Sequence, residues 1–169
     1  HFCPCSLRLS LSLIISKDPG FDLGSSTRMG YKDWTSTTAN TFAAGSTVYY
    51  EIKMNSTSTY NQQIYFWLDK NQDGSLVDPG ERVHATSKSV NGVTTHTGSF
   101  TMPAAAEIGS GTVFGRIIMR YSSAPPLCGS YDYGTTFDFR INVTGGTLNV
   151  VQSTITVNVS GSGTVTSNP

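Results

Sequence analysis

Residues 64–81 read Ile-Tyr-Phe-Trp-Leu-Asp-Lys-Asn-Gln-Asp-Gly-Ser-Leu-Val-Asp-Pro-Gly-Glu, and this stretch restricts the fold more than any other. Ile64, Phe66 and Leu68 alternate with Tyr65 and Trp67, the period of a strand rather than of a helix. The strand runs directly into Asp69-x-Asn71-x-Asp73-Gly74-Ser75, with Glu81 at the thirteenth position. Oxygen-bearing side chains at alternate positions, followed by glycine, are what a calcium loop requires. Asp69, Asn71 and Asp73 can point inward together, Gly74 permits the sharp turn, and Ser75 offers its carbonyl. Glu81 stands one place later than in an EF-hand, where Pro79-Gly80 can swing it back for bidentate closure. Four of the eleven acids in the chain (Asp69, Asp73, Asp78 and Glu81) fall inside this loop. The plainer reading of the same residues is an Asp-Gly turn with solvated carboxylates. We expect Ca2+, held by Asp69, Asn71, Asp73, Ser75 and Glu81 on a β-hairpin.

Alternation recurs along the chain. Leu7 to Ile15 is apolar at every second position and ends at Asp18-Pro19-Gly20. Val48, Tyr50, Ile52 and Met54 form the next such run, and Asn55 to Asn61 reads as a polar turn. Arg82 to Ala85 leads out of the acidic loop, and Val93 to Met102 is extended up to Pro103. Thr112 to Tyr121 places Val113, Ile117, Met119 and Tyr121 on one face and Phe114, Arg116, Ile118 and Arg120 on the other. Phe137, Phe139, Ile141 and Val143 make one apolar face of a last strand. Phe21 to Asn40 reads as loop. Strands about a dozen residues apart, separated by turn residues, predict an all-β antiparallel β-sandwich, jelly-roll or Ig-like, over residues 1–144. Thr144-Gly145-Gly146 reads as a domain end. Residues 145–169 then read as a linker and the start of a following β-module, or as an exchanged strand.

The chain has 169 residues, of which 13% are charged, with a net charge of zero. That balance argues against nucleic acid or an anionic membrane as partner. No segment is long and apolar enough to span a bilayer. Abundant Ser, Thr and Gly with β-branched and aromatic residues suit an extracellular β-protein. Both ends read as cut, so a fragment or processed form is expected. Of three cysteines, Cys128 is expected to pair with Cys3 or Cys5, leaving one thiol over. His84 and His96, in Thr/Ser-rich extended segments without triad or HExxH spacing, read as exposed strand histidines. No catalytic motif emerges, and the chain is not expected to be an enzyme. Tyr65, Trp67, Tyr131 and Tyr133 are candidate sugar-stacking residues, though aromatics in a sandwich more often fill its core.

Four pieces of the chain together resemble the GEVED domain, a β-sandwich module of secreted multidomain proteins of Bacteroidetes-type bacteria. They are Tyr31-Lys32-Asp33-Trp34-Thr35-Ser36, Phe66 to Gly74 with Gly80-Glu81, Gly98 to Pro103, and Met119-Arg120-Tyr121 through Pro126 to Gly134. The motif that names the family is reduced here to Gly134-Thr135-Thr136-Phe137-Asp138, keeping only its first and last residues. Asp138 can still pair with Arg116 or Arg120. Ser160-Gly161-Ser162-Gly163-Thr164-Val165 is similar to the opening strand of a bacterial surface-protein β-repeat.

The resemblance implies an accessory module, such as those that accompany proteases, glycoside hydrolases or adhesins exported by the type IX system. The expected function is a non-catalytic, calcium-stabilised structural or adhesive module of a larger secreted or cell-surface protein. One alternative is a carbohydrate-binding accessory module of an exported hydrolase or protease. The other is a subunit of an extracellular fibre built by strand exchange. The corresponding partners are a polysaccharide, a cell-surface component, or neighbouring copies of the chain.

Overall fold

The structure, a computed structural model, describes residues 11–16, 25–26, 30–36, 39–129, 131 and 133–148. Its strands are β1 (Leu11–Ser16), β2 (Ser25–Ser26), β3 (Tyr31–Asp33), β4 (Asn40–Ala43), β5 (Thr47–Leu68), β6 (Arg82–Thr101), β7 (Gly111–Tyr121) and β8 (Gly134–Thr144). A single 3-10 turn, Ala105–Glu107, lies between β6 and β7. No helix among the described residues is long and apolar enough to cross a membrane.

The fold is all-β and sandwich-like, and one long ribbon makes it so. β5 and β6 pair antiparallel from Thr47↔Thr101 to Trp67↔Arg82, with irregularities between Ser56 and Tyr60 and between Phe66 and Trp67. On its other edge β5 pairs first with β1, over Tyr49–Lys53, and then with β7, over Gln62–Leu68. A straight strand would hold Tyr50 and Phe66 about 50 Å apart. Their ring centroids are 5.0 Å apart. The ribbon therefore folds over on itself at the Ser56–Tyr60 irregularity. One leaf contains β1, the first half of β5 and the second half of β6. The other contains the first half of β6, the second half of β5, β7 and β8.

The side chains enclosed between the leaves follow the strand period. Val48, Tyr50, Ile52 and Met54 share one buried cluster with Ile64, Phe66, Leu68, Val113, Ile117, Met119, Phe137, Phe139, Ile141 and Val143. A second, smaller cluster forms on the outer face, where Trp67, Leu76 and Ile118 pack together against Tyr65, Phe114, Leu127 and Tyr131.

Three expectations are corrected. Asn55 to Asn61 is not a turn but the bulged corner of a continuous strand, because its polar residues remain paired with β6 on both sides of the irregularity. The sheet is mixed rather than wholly antiparallel, since β3 and β4 both run parallel to β8. Phe21 to Asn40 contains short strands where loop was expected. Past β8, Thr147 N–H donates to Ala105 O at 2.7 Å and Leu148 N–H to Ile108 O at 3.2 Å, so residues 147 and 148 remain attached to the sandwich. Residues 149–169, with the surface-repeat resemblance, and Cys3 and Cys5 lie outside the described residues.

Candidate metal centre

The acidic loop joins the end of β5 to the start of β6, and its base is tied before its side chains are considered. Leu68 N–H donates to Glu81 O at 2.9 Å, Asp69 N–H to Phe114 O at 2.9 Å and Gly109 N–H to Lys70 O at 2.9 Å. The backbone then curls through left-handed conformations at Gln72 (φ 57°), Gly74 (φ 85°) and Gly80 (φ 83°). Gly74 is the position where the loop pattern called for glycine, and its φ supplies the reason.

Curling turns the carboxylates inward. Asp69 accepts from Asp73 N–H at 3.1 Å and Gly74 N–H at 3.0 Å, one bond to each oxygen. Glu81 likewise spans the loop, accepting from Lys70 N–H at 3.0 Å and Asp78 N–H at 3.3 Å. Asp73 accepts from Ser75 N–H at 2.8 Å. The amide nitrogen of Asn71 donates to Asp73 Oδ2 at 3.0 Å and to Asp78 Oδ2 at 2.8 Å. That NH2 group draws two carboxylates together where a cation would do the same. Asp78 is therefore a participant that the loop pattern alone did not assign.

Asp69 is 3% exposed and Glu81 1% exposed. Neither forms an ion pair with a described residue; the two described salt bridges are Lys53–Glu51 and Arg116–Asp138. Burial pushes the Asp69 carboxyl above its ordinary range, and the charge of Asp73 adds to the rise. Burial raises Glu81 as well, with Asp69 and Asp78 contributing in the same direction. Asp69 and Glu81 thus place negative charge where water scarcely reaches it, while Asp73 stays exposed and Asp78 half-buried. Among the described residues no three acidic, histidine or cysteine side chains already converge as a chelating set. The donor chemistry nevertheless fits a hard cation: four carboxylates, an amide oxygen at Asn71 and the backbone carbonyls of a tight loop.

The other predicted side chains are dispersed. Trp67 is 6% exposed and belongs to the outer cluster, so its ring face offers nothing to a sugar. Tyr65 is half-buried beneath the Arg82 guanidinium, 5.1 Å from its ring centroid. The Tyr131 hydroxyl bonds Thr136 Oγ1. Tyr133, 51% exposed, meets Tyr121 edge-on at 6.4 Å. Cys128 is exposed and forms no disulfide among the described residues, and its expected partners, Cys3 and Cys5, fall outside them.

Asp138 has its partner in Arg116. The guanidinium grips both carboxylate oxygens, Nε to Oδ1 at 2.6 Å and Nη2 to Oδ2 at 2.7 Å. Arg116 Nη1 also donates to Leu127 O at 3.2 Å, and the Tyr31 hydroxyl donates to Asp138 Oδ2 at 3.0 Å. One ion pair on β7 and β8 thereby holds both β3 and the loop that follows β7.

Sequence reasoning missed a second cluster altogether. His84 and His96 are half-buried, not exposed. Both direct Nε2 at the Tyr50 hydroxyl, each at 3.3 Å. They stand equidistant from Val90, and a fold in the ribbon there superposes them. The only signal available from sequence was that symmetry, which means nothing until the corner is known.

No curated protein matches the chain. Among solved structures it is similar to a family 123 glycoside hydrolase from Clostridium perfringens, at 15% identity and a TM-score of 0.35, covering 68% of this chain and 24% of that one. It is similar also to Spo0M, a sporulation control protein from Bacillus subtilis, at 12% identity and a TM-score of 0.36, covering 82% of this chain and 50% of that one. The chain thus spans about a quarter of the first and half of the second. Residues 63–142, which carry the end of β5, the acidic loop, all of β6 and the Arg116–Asp138 pair, match the family model of the GEVED domain.

Proposed function

We propose that the chain is a calcium-stabilised structural module of a larger secreted or cell-surface protein. GEVED is a family of non-catalytic modules, which agrees with the lack of catalytic motifs in the sequence. The observation that carries the calcium reading is the buried Asp69–Glu81 pair inside a loop of four carboxylates with no ion-paired cation among the described residues. Asp69, Asn71, Asp73, Asp78 and Glu81 would hold the ion, with Ser75 contributing its carbonyl. A bound divalent cation would neutralise the loop and fix the turn between the two halves of the ribbon.

The test is a thermal melt of the chain in Ca2+ and in EDTA, repeated with Asp69→Asn. Calcium should raise the melting temperature of the unaltered chain and leave that of the variant unchanged. Equal melting temperatures in both buffers would remove calcium from the proposal.

A second reading, a carbohydrate-binding accessory module, is favoured by one observation. Tyr133 and Tyr121 are exposed aromatics in edge contact, and Tyr60 meets Tyr121 edge-on at 5.1 Å. This patch, rather than Trp67, would stack on sugar rings. Retention on insoluble polysaccharide that Tyr133→Ala abolishes would support it, and no retention by the unaltered chain would exclude it for the polysaccharides used.

A further inference from the structure

We propose that Tyr50, His84, Thr86 and His96 form an acid-released latch that holds the two leaves of the folded ribbon together along β6. The four residues come from opposite leaves. His84 and Thr86 lie on the first half of β6, His96 on the second half, and Tyr50 on the first half of β5. The Tyr50 ring meets both imidazoles, with centroids 5.4 Å from His84 and 5.5 Å from His96. The His84 ring is stacked on Phe100 at 5.5 Å and packs edge-on against Phe66 at 5.4 Å, which holds it in place.

The supply of protons is the main argument. The Tyr50 hydroxyl is 3.3 Å from each Nε2, and Thr86 Oγ1 is 3.4 Å from His96 Nε2. A phenol has one proton to donate. With neutral rings it donates to one Nε2 and accepts from the N–H of the other, so the two rings take opposite tautomers and one oxygen joins both leaves. A first proton can enter at Nδ1 of the ring whose Nε2 already donates, and the shared bonds survive. A second proton falls on the Nε2 that was accepting. Both Nε2 atoms then carry hydrogens aimed at the same oxygen, the hydroxyl proton loses its acceptor, and two cations face each other across it. Thr86 offers His96 another acceptor, but that contact is too long to offset the facing charges. The second proton therefore releases the latch.

The surroundings do not compensate that charge. Lys88 is the charged group that faces the pair from β6, and it opposes a proton on His96, as His84 does. Tyr50 is the titratable group that faces it from β5, and burial keeps its phenol protonated. Phe66 and Phe100 complete the surroundings with apolar rings. Among the described residues no carboxylate offsets a charge on either imidazole, and burial holds both rings below the ordinary histidine value of 6.5. Because the folded values are lowered, the latch contributes stability that is complete above 6.5 and is lost as pH falls through the folded values. His84, Thr86, Lys88, Thr94 and His96 are half-buried along β6 and mark the seam that opens. Among the described residues β6 pairs with β5 alone, so no further strand restrains its outer edge.

The experiment follows imidazole nitrogen chemical shifts and amide hydrogen exchange of the chain from about pH 8 to about pH 4 at constant Ca2+. His84 and His96 are expected to titrate as a coupled pair in two separate steps, the second below the ordinary histidine range. That second step should accelerate exchange of the protected amides of residues 84–88 and 94–98 at least about tenfold relative to those of β7 and β8. His96→Gln, which keeps a hydrogen-bonding side chain but takes no proton, should leave His84 titrating in one step and remove the acceleration. Tyr50→Phe, which keeps the ring, should bring the two steps closer together. Asp69→Asn should behave as the unaltered chain, which separates the latch from the acidic loop. Independent titration of both imidazoles at the ordinary value would overturn the proposal, as would steps equally far apart in Tyr50→Phe. So would unchanged relative exchange along β6 once both rings are charged, or acceleration that persists in His96→Gln. Loss of the acceleration in Asp69→Asn would assign it to the acidic loop and overturn the proposal equally.

Discussion

At the scale of single residues, the Arg116–Asp138 pair is the contact whose loss should matter most. Asp138 is 5% exposed and Arg116 23% exposed in their side chains, so the pair is substantially desolvated. Asp138→Asn keeps the shape but leaves a buried guanidinium without its counter-charge. The expected cost is about 3 kcal/mol, at the low end for a broken buried pair because Arg116 retains some water contact. Urea denaturation should show a lower midpoint at unchanged slope. Tyr31 reports on the same pair from outside. Partial burial and the hydrogen bond to Asp138 push its phenol from 10.0 up to about 12. Because the folded value is raised, Tyr31 adds stability below about pH 10 that disappears as pH rises through about 12. The buried Tyr50 phenol is raised as well, so tyrosinate absorbance should show a late-titrating component that Tyr31→Phe diminishes; a late component left unchanged by Tyr31→Phe would contradict this. Such residues were partly legible. The charge at Asp138 and two candidate arginines could be read from the chain, but choosing Arg116 needed the β7–β8 register that sets the two opposite each other. His84 and His96 were misread as exposed because strand alternation gives a side but not the depth of the neighbouring layer.

At the scale of elements, β6 was read only in two extended pieces, Arg82 to Ala85 and Val93 to Met102, whereas the strand entering the acidic loop was legible because Ile64, Phe66 and Leu68 recur at every second position and the loop carries glycine. The corner of the ribbon was not. Asn55 to Asn61 has the composition of a turn, yet the chain there stays in a ladder and bends by an irregularity in pairing. Composition cannot separate a turn that ends a strand from a bulge that bends one. Gly98 shows a similar limit. From sequence it is a glycine inside a strand, which weakens a strand on its own. In the fold it is the floor on which the Tyr50 ring lies, and a Cβ there would meet the Tyr50 hydroxyl and ring. Gly98→Ala should accordingly cost about 1–3 kcal/mol through displacement of that ring. It should also move the hydroxyl away from both histidines, visible as a change in their imidazole resonances. Unchanged stability and unchanged resonances would mean that the ring is free to move aside.

At the scale of the whole molecule, the ribbon has two turning points: the corner at Ser56–Tyr60 and the acidic loop between β5 and β6. The corner is held by the core, whereas the loop accumulates charge that the core cannot neutralise. The carboxyls of Asp69 and Glu81 are both raised above their ordinary values. Groups raised in this way stabilise the fold when protonated, and that contribution is lost as pH rises through their folded values. At neutral pH these two carboxyls therefore oppose folding, and a bound cation, as proposed, would reverse the opposition. With Ca2+ at about one hundred times its dissociation constant, the stabilisation would be about 2.7 kcal/mol. For a domain of this size that corresponds to a rise of about 5–10 °C in melting temperature. The rise should be largest near neutral pH and shrink as pH falls into the carboxylate range, where protons compete for the same oxygens. Glu81→Gln should reduce it at every pH while leaving the Asp138 ion pair in place. A calcium increment independent of pH would show that the ion binds away from Asp69 and Glu81. The turn between the halves of the ribbon would then be held by its backbone hydrogen bonds and Asn71 alone.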